Sequence, residues 1–487
     1  MAKTNANKIT SNLLWRFFER CGAQGVTFIV SVVLARLLDP DTYGLIALVT
    51  VFTSILQVFI DGGLANALIQ KKDADDVDFS SVFYANITIC GILYLLMFLI
   101  APLIASFYEL PELTAVIRVL SLTLVISGVK NVQQAYVSKN LLFKRFFFAT
   151  LGGTLGAAVI GILMAYRGYG VWALVAQHLF NATVDTIILW VTVRWRPKRV
   201  FSFARLLGLF KYGWKLLAST LIDTVYNNLR QLIIGKMYSS EDLAFYNKGK
   251  TFPNMFVTNI NTSIDSVLLP VMSAEQDDRA RVKEMTRRAI KTSTYLMMPL
   301  MMGLAVCAKP LISLILTDKW LPCVPFLQIF CFTYAFYPIH TANLNAIKAL
   351  GRSDLFLILE ILKKVVGIVL IVSTMWISVE AMALSLIAGS ILSQIINSWP
   401  NKKLLGYSYL QQLKDLMPSM ALTTVMGAVV YCVGFLPIAT WLVLAIQILA
   451  GVAIYVGGSM LFKLESYQYI LNAAKRFLRK KGRNDAK

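Results

Sequence analysis

The sequence predicts an all-α polytopic membrane protein with about 14 transmembrane helices, arranged as two parallel six-helix lobes around a central cavity plus two C-terminal helices. Three observations predict this fold class. Of the 487 residues, 57% are hydrophobic and 15% are charged, which is too apolar for one water-soluble core. Apolar stretches long enough to cross a bilayer recur along the whole chain. The first six of them appear again later with matching register.

The predicted spans are stretches of about 18 to 25 mostly apolar residues. They are, in chain order, 13–37, 43–68, 82–107, 113–135, 146–166, 170–193, 212–237, 250–272, 291–316, 321–347, 355–376, 378–398, 416–436 and 438–462. The corresponding domains are an N-terminal lobe over 1–199, a second lobe over 200–402, two additional helices over 403–463 and a basic cytoplasmic tail over 464–487. The first stretch contains Arg16, Glu19 and Arg20, so we expect a retained span there and not a cleavable signal.

The internal repeat is visible in two alignments. The segment SVVLARLLDPDTYGL (31–45) aligns without a gap with QLIIGKMYSSEDLAF (231–245). After a further shift of eight residues, Pro102-Leu103-Ile104 align with Pro310-Leu311-Ile312. An even number of spans in each repeat gives both copies the same orientation, which predicts parallel lobes around a central cavity.

Loop charges predict the orientation in the membrane. Lys and Arg concentrate in every second connection, and the opposite connections are short and acidic or neutral. Because basic loops stay in the cytoplasm, both termini are predicted to be cytoplasmic. The basic tail is expected to contact anionic inner-leaflet lipids. Topology and lipid contact therefore explain the net charge of +21, and we expect no nucleic-acid partner.

Soluble-enzyme functions find little support in the sequence. The segment AFYNKGKT (244–251) lacks the first glycine of a phosphate-binding loop and follows no strand. The predicted outer connections are too short to hold catalytic carboxylates over a substrate. The six cysteines are scattered and have no ligand spacing. We therefore expect no enzymatic activity, no cofactor and no metal.

Ionisable side chains inside spans are the strongest functional signal, since each costs about 2.5 to 3.5 kcal/mol unless it faces water or a partner. Asp223, Tyr226, Asn227 and Arg230 are spaced i, i+3, i+4 and i+7, which places them on one helical face. Similar polar stripes are Arg16, Glu19, Arg20 and Gln24 in the first span, Gln177, His178, Asn181 and Asp185 in the sixth, and Asn254, Thr258, Asn261 and Asp265 in the eighth.

Basic residues outnumber acids in and beside the spans, so the predicted cavity is cationic and suited to an anion such as a pyrophosphate or an acidic sugar. The candidate substrate-binding residues are Arg16, Arg20, Arg230, Lys248, Lys250, Lys364, Tyr226, Asn227, Tyr337 and Asn343. The candidate sites for a coupling cation, H+ or Na+, are Glu19, Asp223, Asp265, Asp185 and Glu360. The alternative is structural: basic residues near span ends, such as Lys130 and Lys236, snorkel or form helix-to-helix ion pairs.

Two further features allow a functional and a structural interpretation. Asp61, Gly62 and Gly63 lie at the cytoplasmic side of the second span, where the glycines either form a hinge or simply end a helix. His178 and His340 are the only histidines, and each either titrates in a proton-coupled cycle or packs unprotonated.

Longer segments resemble a known family. They are VLARLLDPDTYGLIAL, FIDGGLANALIQKKD, VSKNLLFKRF, IIGKMYSSEDLAFYNKGKTFPN and LQIFCFTYAFYPIHTANLNAIKALGRSDLFL. The chain resembles the polysaccharide-transporter branch of the multidrug/oligosaccharidyl-lipid/polysaccharide exporter superfamily, and especially the Wzx-type and colanic-acid-exporter-like flippases. It departs from the branch at Ser239 and Ser240, which replace a small-residue turn glycine.

The resemblance implies transport of a polyprenyl-pyrophosphate-linked oligosaccharide from the inner to the outer leaflet of the bacterial cytoplasmic membrane, by ion-coupled alternating access. Arg16, Arg20 and Arg230 would then lie nearest the pyrophosphate, with Tyr226, Asn227, Tyr337 and Asn343 toward the sugar. Other polysaccharide-assembly membrane proteins are the expected protein partners. The alternatives are a multidrug or small-metabolite exporter, a peptidoglycan-precursor flippase, and a non-transporting scaffold for envelope synthesis.

Overall fold

The computed structural model describes residues 22–61, 63–140, 142–472 and 475, with the side chains of 143–146 and 212 excepted. Within these residues the protein is helical and contains no β-strand, which confirms the predicted all-α fold.

Most helices match the predicted apolar stretches. They are α1 (Gly22–Leu37), α2 (Pro40–Asp61), α3 (Leu64–Gln70), α4 (Asp76–Tyr108), α5 (Leu113–Leu120), α6 (Leu122–Lys139), α7 (Phe143–Tyr166), α8 (Val171–Thr192), α9 (Phe203–Met237), α10 (Ser240–Ala274), α11 (Arg279–Val306), α12 (Ala308–Leu316), α13 (Val324–Ala335), α14 (Tyr337–Ala349), α15 (Ser353–Thr374), α16 (Val379–Leu405), α17 (Tyr409–Val433) and α18 (Thr440–Leu461). A 3-10 helix spans Asp318–Cys323, and a short helix follows at 465–472.

Ten helical stretches in the described chain are long and apolar enough to cross a membrane. The other four predicted spans fall on α1, which is described only from Gly22, and on α9, α10 and α15. These last three helices carry charged residues well inside their length, as at Glu360, Lys363 and Lys364 of α15. Polar stripes lower the apolar signal of a helix, so the total of 14 spans stays a prediction.

The chain divides into two compact units, with the boundary between Ala244 and Phe245. Helix α9 belongs to the first unit, where it packs against α2, α3 and α4. The sequence assigns α9 to the second repeat, so repeat and compact unit are different divisions of the chain. The domain boundaries predicted at 199 and 402 remain predictions.

Local structure recurs at the spacing of the sequence repeat. Helices α1 and α9 end at Leu37 and Met237, and the next long helices begin at Pro40 and Ser240. Further on, α4 and α12 are followed by Glu109 and Thr317, two non-glycine residues with positive φ angles of 59° and 82°. Positive φ is uncommon outside glycine. The two residues share its sign but not the same conformation, because ψ is 30° at Glu109 and 166° at Thr317.

Glycines let two helix pairs approach closely in the first unit. On α7, a Cβ added to Gly153 would lie 2.8 Å from the Asn181 Oδ1 atom of α8, and one added to Gly156 would lie 2.6 Å from the Phe180 ring. On α9, a Cβ at Gly213 would lie 2.6 Å from the Gly63 carbonyl oxygen. Helix α9 therefore crosses the chain between the end of α2 at Asp61 and the start of α3 at Leu64.

The connection between α8 and α9 is fixed to the start of α4. The Ser80 and Ser81 hydroxyls accept hydrogen bonds from the backbone N–H groups of Lys198 and Ser202, each at 2.9 Å. Asp75 caps α4 and accepts two hydrogen bonds from the Arg205 guanidinium, at 2.5 and 2.6 Å. The Arg205 hydrogen bonds lower the pKa of Asp75 to about 2. This end of the unit is thereby held together around the loop before α4.

Candidate functional site

Four helices of the first unit bring polar side chains together, and we call this set the unit-1 polar group: Asp61 and Gln57 of α2, Asn86 of α4, Lys130 and Asn131 of α6, and Asp185 of α8. The Asn131 Nδ2 atom donates to Asp61 Oδ1 at 2.6 Å, and Gln57 Nε2 donates to Asp61 Oδ2 at 3.0 Å. Asn86 Nδ2 donates to Asn131 Oδ1 at 3.3 Å. Lys130 Nζ lies 2.9 Å from Asp185 Oδ2.

Three members of the unit-1 polar group lie well inside their helices, and Asp61 is the last residue of α2. At 1.5 Å per residue, Asn86 is about 15 Å from the start of α4, Asn131 about 12 Å from the end of α6, and Asp185 about 11 Å from the end of α8. These are the helix ends that the charge pattern assigns to the cytoplasm. The similar depths place the group in one layer of the unit.

The members of this group differ in how deeply they are buried. Asn86 and Asn131 are 1% and 4% exposed, and the side chains of Lys130 and Asp185 are 18% and 14% exposed. Asp61 is exposed at the surface of the unit. In the part of the chain that the structure describes, two buried acceptors of the group, Asn86 Oδ1 and Asp185 Oδ1, have no hydrogen-bond partner.

The second unit contains a comparable carboxylate–amide pair. The Asn345 Nδ2 atom donates to Asp265 Oδ1 at 2.7 Å, and Thr341 Oγ1 donates to Asn261 Oδ1 at 3.4 Å. His340 Nδ1 lies 3.0 Å from Asn397 Nδ2, and its ring packs against Tyr337. Asp265 is exposed, as Asp61 is. Each unit thus presents one carboxylate that a buried asparagine holds in place.

The stripe predicted on α9 is a single continuous face of that helix. Along it, Arg230 is 8% exposed, Asp223 and Tyr226 are half-buried, and Asn227 is exposed. Asp223, Tyr226 and Arg230 all take part in interactions. The stripe is therefore partly accessible, and its role as a cavity lining stays a prediction.

The other basic candidates occupy varied surroundings. Lys248 is buried, with Nζ 5.4 Å from the centroid of the Trp320 ring, a cation–π arrangement. Lys250 and Lys364 are half-buried and engaged in interactions. Glu360 pairs with Lys363 at 2.6 Å, the local pairing that the i, i+3 spacing allowed.

Asn343 is placed differently from the sugar contact that its polarity suggested. It is fully buried, and its amide exchanges hydrogen bonds with Ser398, Asn401 and Gln412. Every polar atom of this side chain has a partner inside the unit. Its position supports a structural role, since α14, α16 and α17 meet at this amide.

Some predicted site residues cannot be compared with the structure. Arg16, Glu19, Arg20 and Gly62 lie outside the described residues. Lys130 forms an ion pair between helices, and Lys236 of α9 pairs at 2.9 Å with Glu109, the residue after α4, so both are in ion pairs of the kind that the structural interpretation expected. Asn86 and Asn131 were missed by the sequence reasoning, because a single amide in an apolar span shows nothing about its partner.

The described residues contain no group of three or more His, Cys, Asp or Glu side chains that could hold a metal ion. In the unit-1 polar group the Asn131 and Gln57 amides turn their N–H groups toward Asp61, which is an arrangement of hydrogen bonds.

Ten membrane-crossing stretches, an internal repeat and ionisable groups inside helices define a multi-pass helical membrane protein with a transporter fold. The fold resembles the solved structure "Lipid II flippase MurJ, inward closed conformation" with a TM-score of 0.76 at 15% identity, covering 95% of this chain and 100% of that one. It also resembles an inward-facing multidrug resistance MATE family transporter of the MOP superfamily, with a TM-score of 0.61 at 14% identity over 82% of this chain and 96% of that one.

Residues 33–325 match the family described as "Polysaccharide biosynthesis protein", and the chain belongs to that family. This confirms the resemblance found in the sequence motifs. Among curated relatives, the succinoglycan biosynthesis transport protein ExoT of Rhizobium meliloti (strain 1021) is 26% identical over 65% of this chain. The lipopolysaccharide biosynthesis protein WzxC of Escherichia coli (strain K12) is 23% identical over 87% of this chain and 88% of its own length.

A third relative, the teichuronic acid biosynthesis protein TuaB of Bacillus subtilis (strain 168), is 26% identical over 62% of this chain. The matched region spans 64% of ExoT and 63% of TuaB, slightly less than two thirds of either relative.

Proposed function

We propose that this protein is a flippase that moves a polyprenyl-pyrophosphate-linked oligosaccharide from the inner to the outer leaflet of a bacterial cytoplasmic membrane, for surface polysaccharide synthesis. The observation that carries the proposal is a transporter fold in a chain of a polysaccharide biosynthesis family. A family of this kind needs its intermediates carried across a membrane, and the polar stripes inside the helices supply groups for such a path.

The substrate's pyrophosphate is the part that the protein's charge recognises. On α9, Arg230 supplies a guanidinium able to bind two oxygens of one phosphate, with Tyr226 and Asn227 beside it on the same face. Arg16 and Arg20 add two basic groups in the sequence. Tyr337, which is 42% exposed on α14, is the aromatic group available for a sugar. The acyl chain stays in the lipid.

Ion coupling is assigned to carboxylates inside the helices. Asp265, held by Asn345, is the described candidate of the second unit whose surroundings fit best, because it is both exposed and oriented. Binding of H+ or Na+ at such a group changes the charge of the site. If the two end states bind the cation with different affinity, the cation shifts the population between them.

The orientation follows from the loop charges, with both termini in the cytoplasm. The basic tail, including Lys475, would then contact anionic inner-leaflet lipids. Other membrane proteins of polysaccharide assembly would receive the flipped substrate. Catalysis, a cofactor and a nucleic-acid partner have no part in this proposal.

The test is the sidedness of the lipid-linked oligosaccharide in cells with and without the protein, using an enzyme or lectin that reaches only the outer leaflet. We expect the intact lipid-linked unit to accumulate inside when the protein is absent. At normal membrane abundance, Arg230→Ala should lower outward transport of the oligosaccharide at least tenfold. The reason is that a desolvated guanidinium–phosphate contact is worth more than about 1.4 kcal/mol.

The matched control is Arg281→Ala, because the Arg281 side chain is 60% exposed, pairs with Glu275 and is not among the candidate site residues. We expect this variant to transport normally. Normal outward exposure of the oligosaccharide without the protein, in a strain that has no second flippase, would contradict the proposal.

A second candidate function is a peptidoglycan-precursor flippase, which the likeness to the lipid II flippase fold favours. The same cells distinguish the two functions. Rescue of lipid II export and of cell-wall synthesis in a strain that lacks its own lipid II flippase would support the second candidate. We expect no rescue, because the family match is to polysaccharide biosynthesis.

A further inference from the structure

We propose that the start of α9 is a binding site for anionic phospholipids, in which an exposed apolar face enters the membrane boundary and neighbouring cations bind the lipid phosphates. The apolar face, which we call the α9 apolar face, consists of Phe203, Leu207, Phe210 and Trp214. The cations are Arg194, Arg199 and Lys211. The site is separate in sequence from the basic tail, and it does not depend on the proposed transport function.

The spacing of its residues makes the α9 apolar face continuous. The four residues occupy positions i, i+4, i+7 and i+11, which fall on one side of an α-helix. Their side chains are between 46% and 67% exposed. Leu209 and Gly213 are buried on a different side of the helix, where Gly213 lies against Gly63. The helices that hold α9 in the first unit therefore leave the apolar face uncovered.

The length of α9 places this face at the boundary of the membrane. A helix of 35 residues is about 52 Å long, whereas the bilayer is about 30 Å thick in its hydrocarbon core and about 40 to 45 Å thick with its headgroups. Helix α9 is thus long enough to cross the core and both headgroup layers. Its far end carries Lys236, which pairs with Glu109. The first turns of α9, at the opposite end, then lie at headgroup depth.

The apolar face also continues toward the membrane core. Val225 follows Trp214 at a further i+11 position, so it lies on the same side of α9, and it too is exposed. A large exposed apolar patch marks a surface that binds something, and Phe and Trp are favoured where a membrane meets water. Because the face is continuous with the side of α9 that crosses the hydrocarbon, the bilayer is the occupant that covers it.

Several basic residues around the start of α9 already have partners. Lys198 forms an ion pair with Asp76, and Arg205 forms one with Asp75. Arg196 donates hydrogen bonds to backbone carbonyls at the end of α8. These three cations fix the connection between α8 and α9 and are not available to a lipid.

The remaining cations select the lipid. Arg194, Arg199 and Lys211 are exposed, and within the described part of the chain they form no ion pair and no hydrogen bond. Exposed cations next to an apolar helix face are the pattern that binds the headgroups of acidic phospholipids. Each Lys or Arg near such a surface strengthens binding about fivefold. An acidic phospholipid therefore fits this site better than a zwitterionic one.

Lipid binding here would act on a helix that has two further tasks. Helix α9 crosses the α2–α3 break at Gly213, and it carries Tyr226 and Arg230 of the predicted polar stripe. A lipid bound at its first turns holds the helix that positions both features. The content of anionic lipid in the membrane thereby influences where α9 lies.

The experiment uses the full chain without its native cysteines, in lipid nanodiscs and without any oligosaccharide. A bimane label on Leu207→Cys reports quenching by phospholipids that are brominated near the headgroup end of their acyl chains. Brominated phosphatidylglycerol in plain phosphatidylcholine, and the reverse mixture, give the relative binding constant of the two lipids at the label. We expect quenching by both lipids and a preference for phosphatidylglycerol of at least tenfold. Arg199→Gln and Lys211→Gln should each lower that preference about fivefold.

The matched control is Arg279→Gln, which removes an exposed cation next to Asp277 and Asp278 and should leave the preference unchanged. Salt at about 1 M should reduce the preference, because it screens exposed charges. All these substitutions are at exposed side chains, so folded protein is expected from each variant.

Three results would overturn the site. The absence of quenching at residue 207 would show that the apolar face does not enter the membrane. Equal binding of the two lipids, or an unchanged preference in both glutamine variants, would show that the cations do not select anionic lipid. Loss of the preference on adding glycerol phosphate would assign the cations to a soluble phosphate compound. None of these results depends on whether the protein moves an oligosaccharide, so the lipid site and the flippase can fail separately.

Discussion

At the residue scale, the ion pair between Lys130 and Asp185 joins two helices of the first unit through largely buried side chains. Both side chains are more than four fifths buried, and their helices, α6 and α8, are separate in sequence. In such a pair the desolvation cost of each charge is recovered only while the partner is present. The pair therefore fixes the relative position of α6 and α8, whatever its net contribution to stability.

We predict that Lys130→Met destabilises the protein by about 3 to 5 kcal/mol, because it leaves the Asp185 charge buried without its partner. The double variant Lys130→Met with Asp185→Leu should be closer to wild type than Lys130→Met alone. The free energy of unfolding of the two single variants and the double variant, measured in one detergent, gives the coupling energy. Additive single effects would show that the pair is not coupled.

Sequence reasoning found ionisable residues inside spans but could not pair them across helices. The stripe on α9 was predictable, because its four residues share one helix and spacing alone puts them on one face. Asp185 was identified as polar and embedded, but its partner lies on another helix. Asn86 and Asn131 carry no charge, so neither span looked unusual. Their importance comes from Asp61, which only the folded chain brings near.

At the element scale, the crossing of α9 over the α2–α3 break depends on Gly213. A Cβ at Gly213 would lie 2.6 Å from the Gly63 carbonyl oxygen and would force a displacement, whereas a Cβ at Gly63 would make an ordinary contact of 3.5 Å with the Gly213 carbonyl oxygen. Because Asp61 lies at this break, the same crossing positions the exposed carboxylate of the unit-1 polar group. The packing of α9 and the placement of that carboxylate are therefore linked.

We predict that Gly213→Ala costs about 1 to 3 kcal/mol, as overpacking typically does, because its Cβ atom would lie 2.6 Å from the Gly63 carbonyl oxygen. Gly208→Ala is the matched control in the same helix, since a Cβ there meets nothing within 4 Å. It should be neutral or stabilising by up to about 1 kcal/mol, from better helix propensity. Thermal unfolding of both variants provides the comparison, and equal effects would show that the close approach does not limit packing.

Apolar stretches predicted where helices occur better than where they are interrupted. The stretch predicted at 113–135 is two helices that meet at Ser121, and the one at 321–347 is a 3-10 helix followed by α13 and α14. Interruptions of this kind leave the mean hydropathy of a span unchanged. A hydropathy average along the sequence therefore does not detect them. Pro338 at the start of α14 is a signal that could have marked one of these breaks.

At the scale of the whole molecule, the sequence repeat predicts where corresponding helices end. The gapless alignment at an offset of 200 residues matches the ends of α1 and α9, and the later shift matches the positive-φ residues Glu109 and Thr317. Because local sequence determines where a helix ends, a repeated sequence also repeats the helix ends. Packing does not follow in the same way, as the position of α9 in the first unit demonstrates.

The orientation of the whole chain gives the last prediction. Lys and Arg resist translocation, so loops that carry them remain in the cytoplasm, whereas the connection that contains Glu109 and Glu112 should face outward. In a variant without its native cysteines, Glu112→Cys should react with a membrane-impermeant maleimide in intact cells. Arg279→Cys, at the start of α11, should react only after the membrane is opened. An even total of spans puts both termini on one side, so reversal of both results would place both termini outside. Reaction of both cysteines in intact cells would contradict the odd number of spans predicted between these two connections.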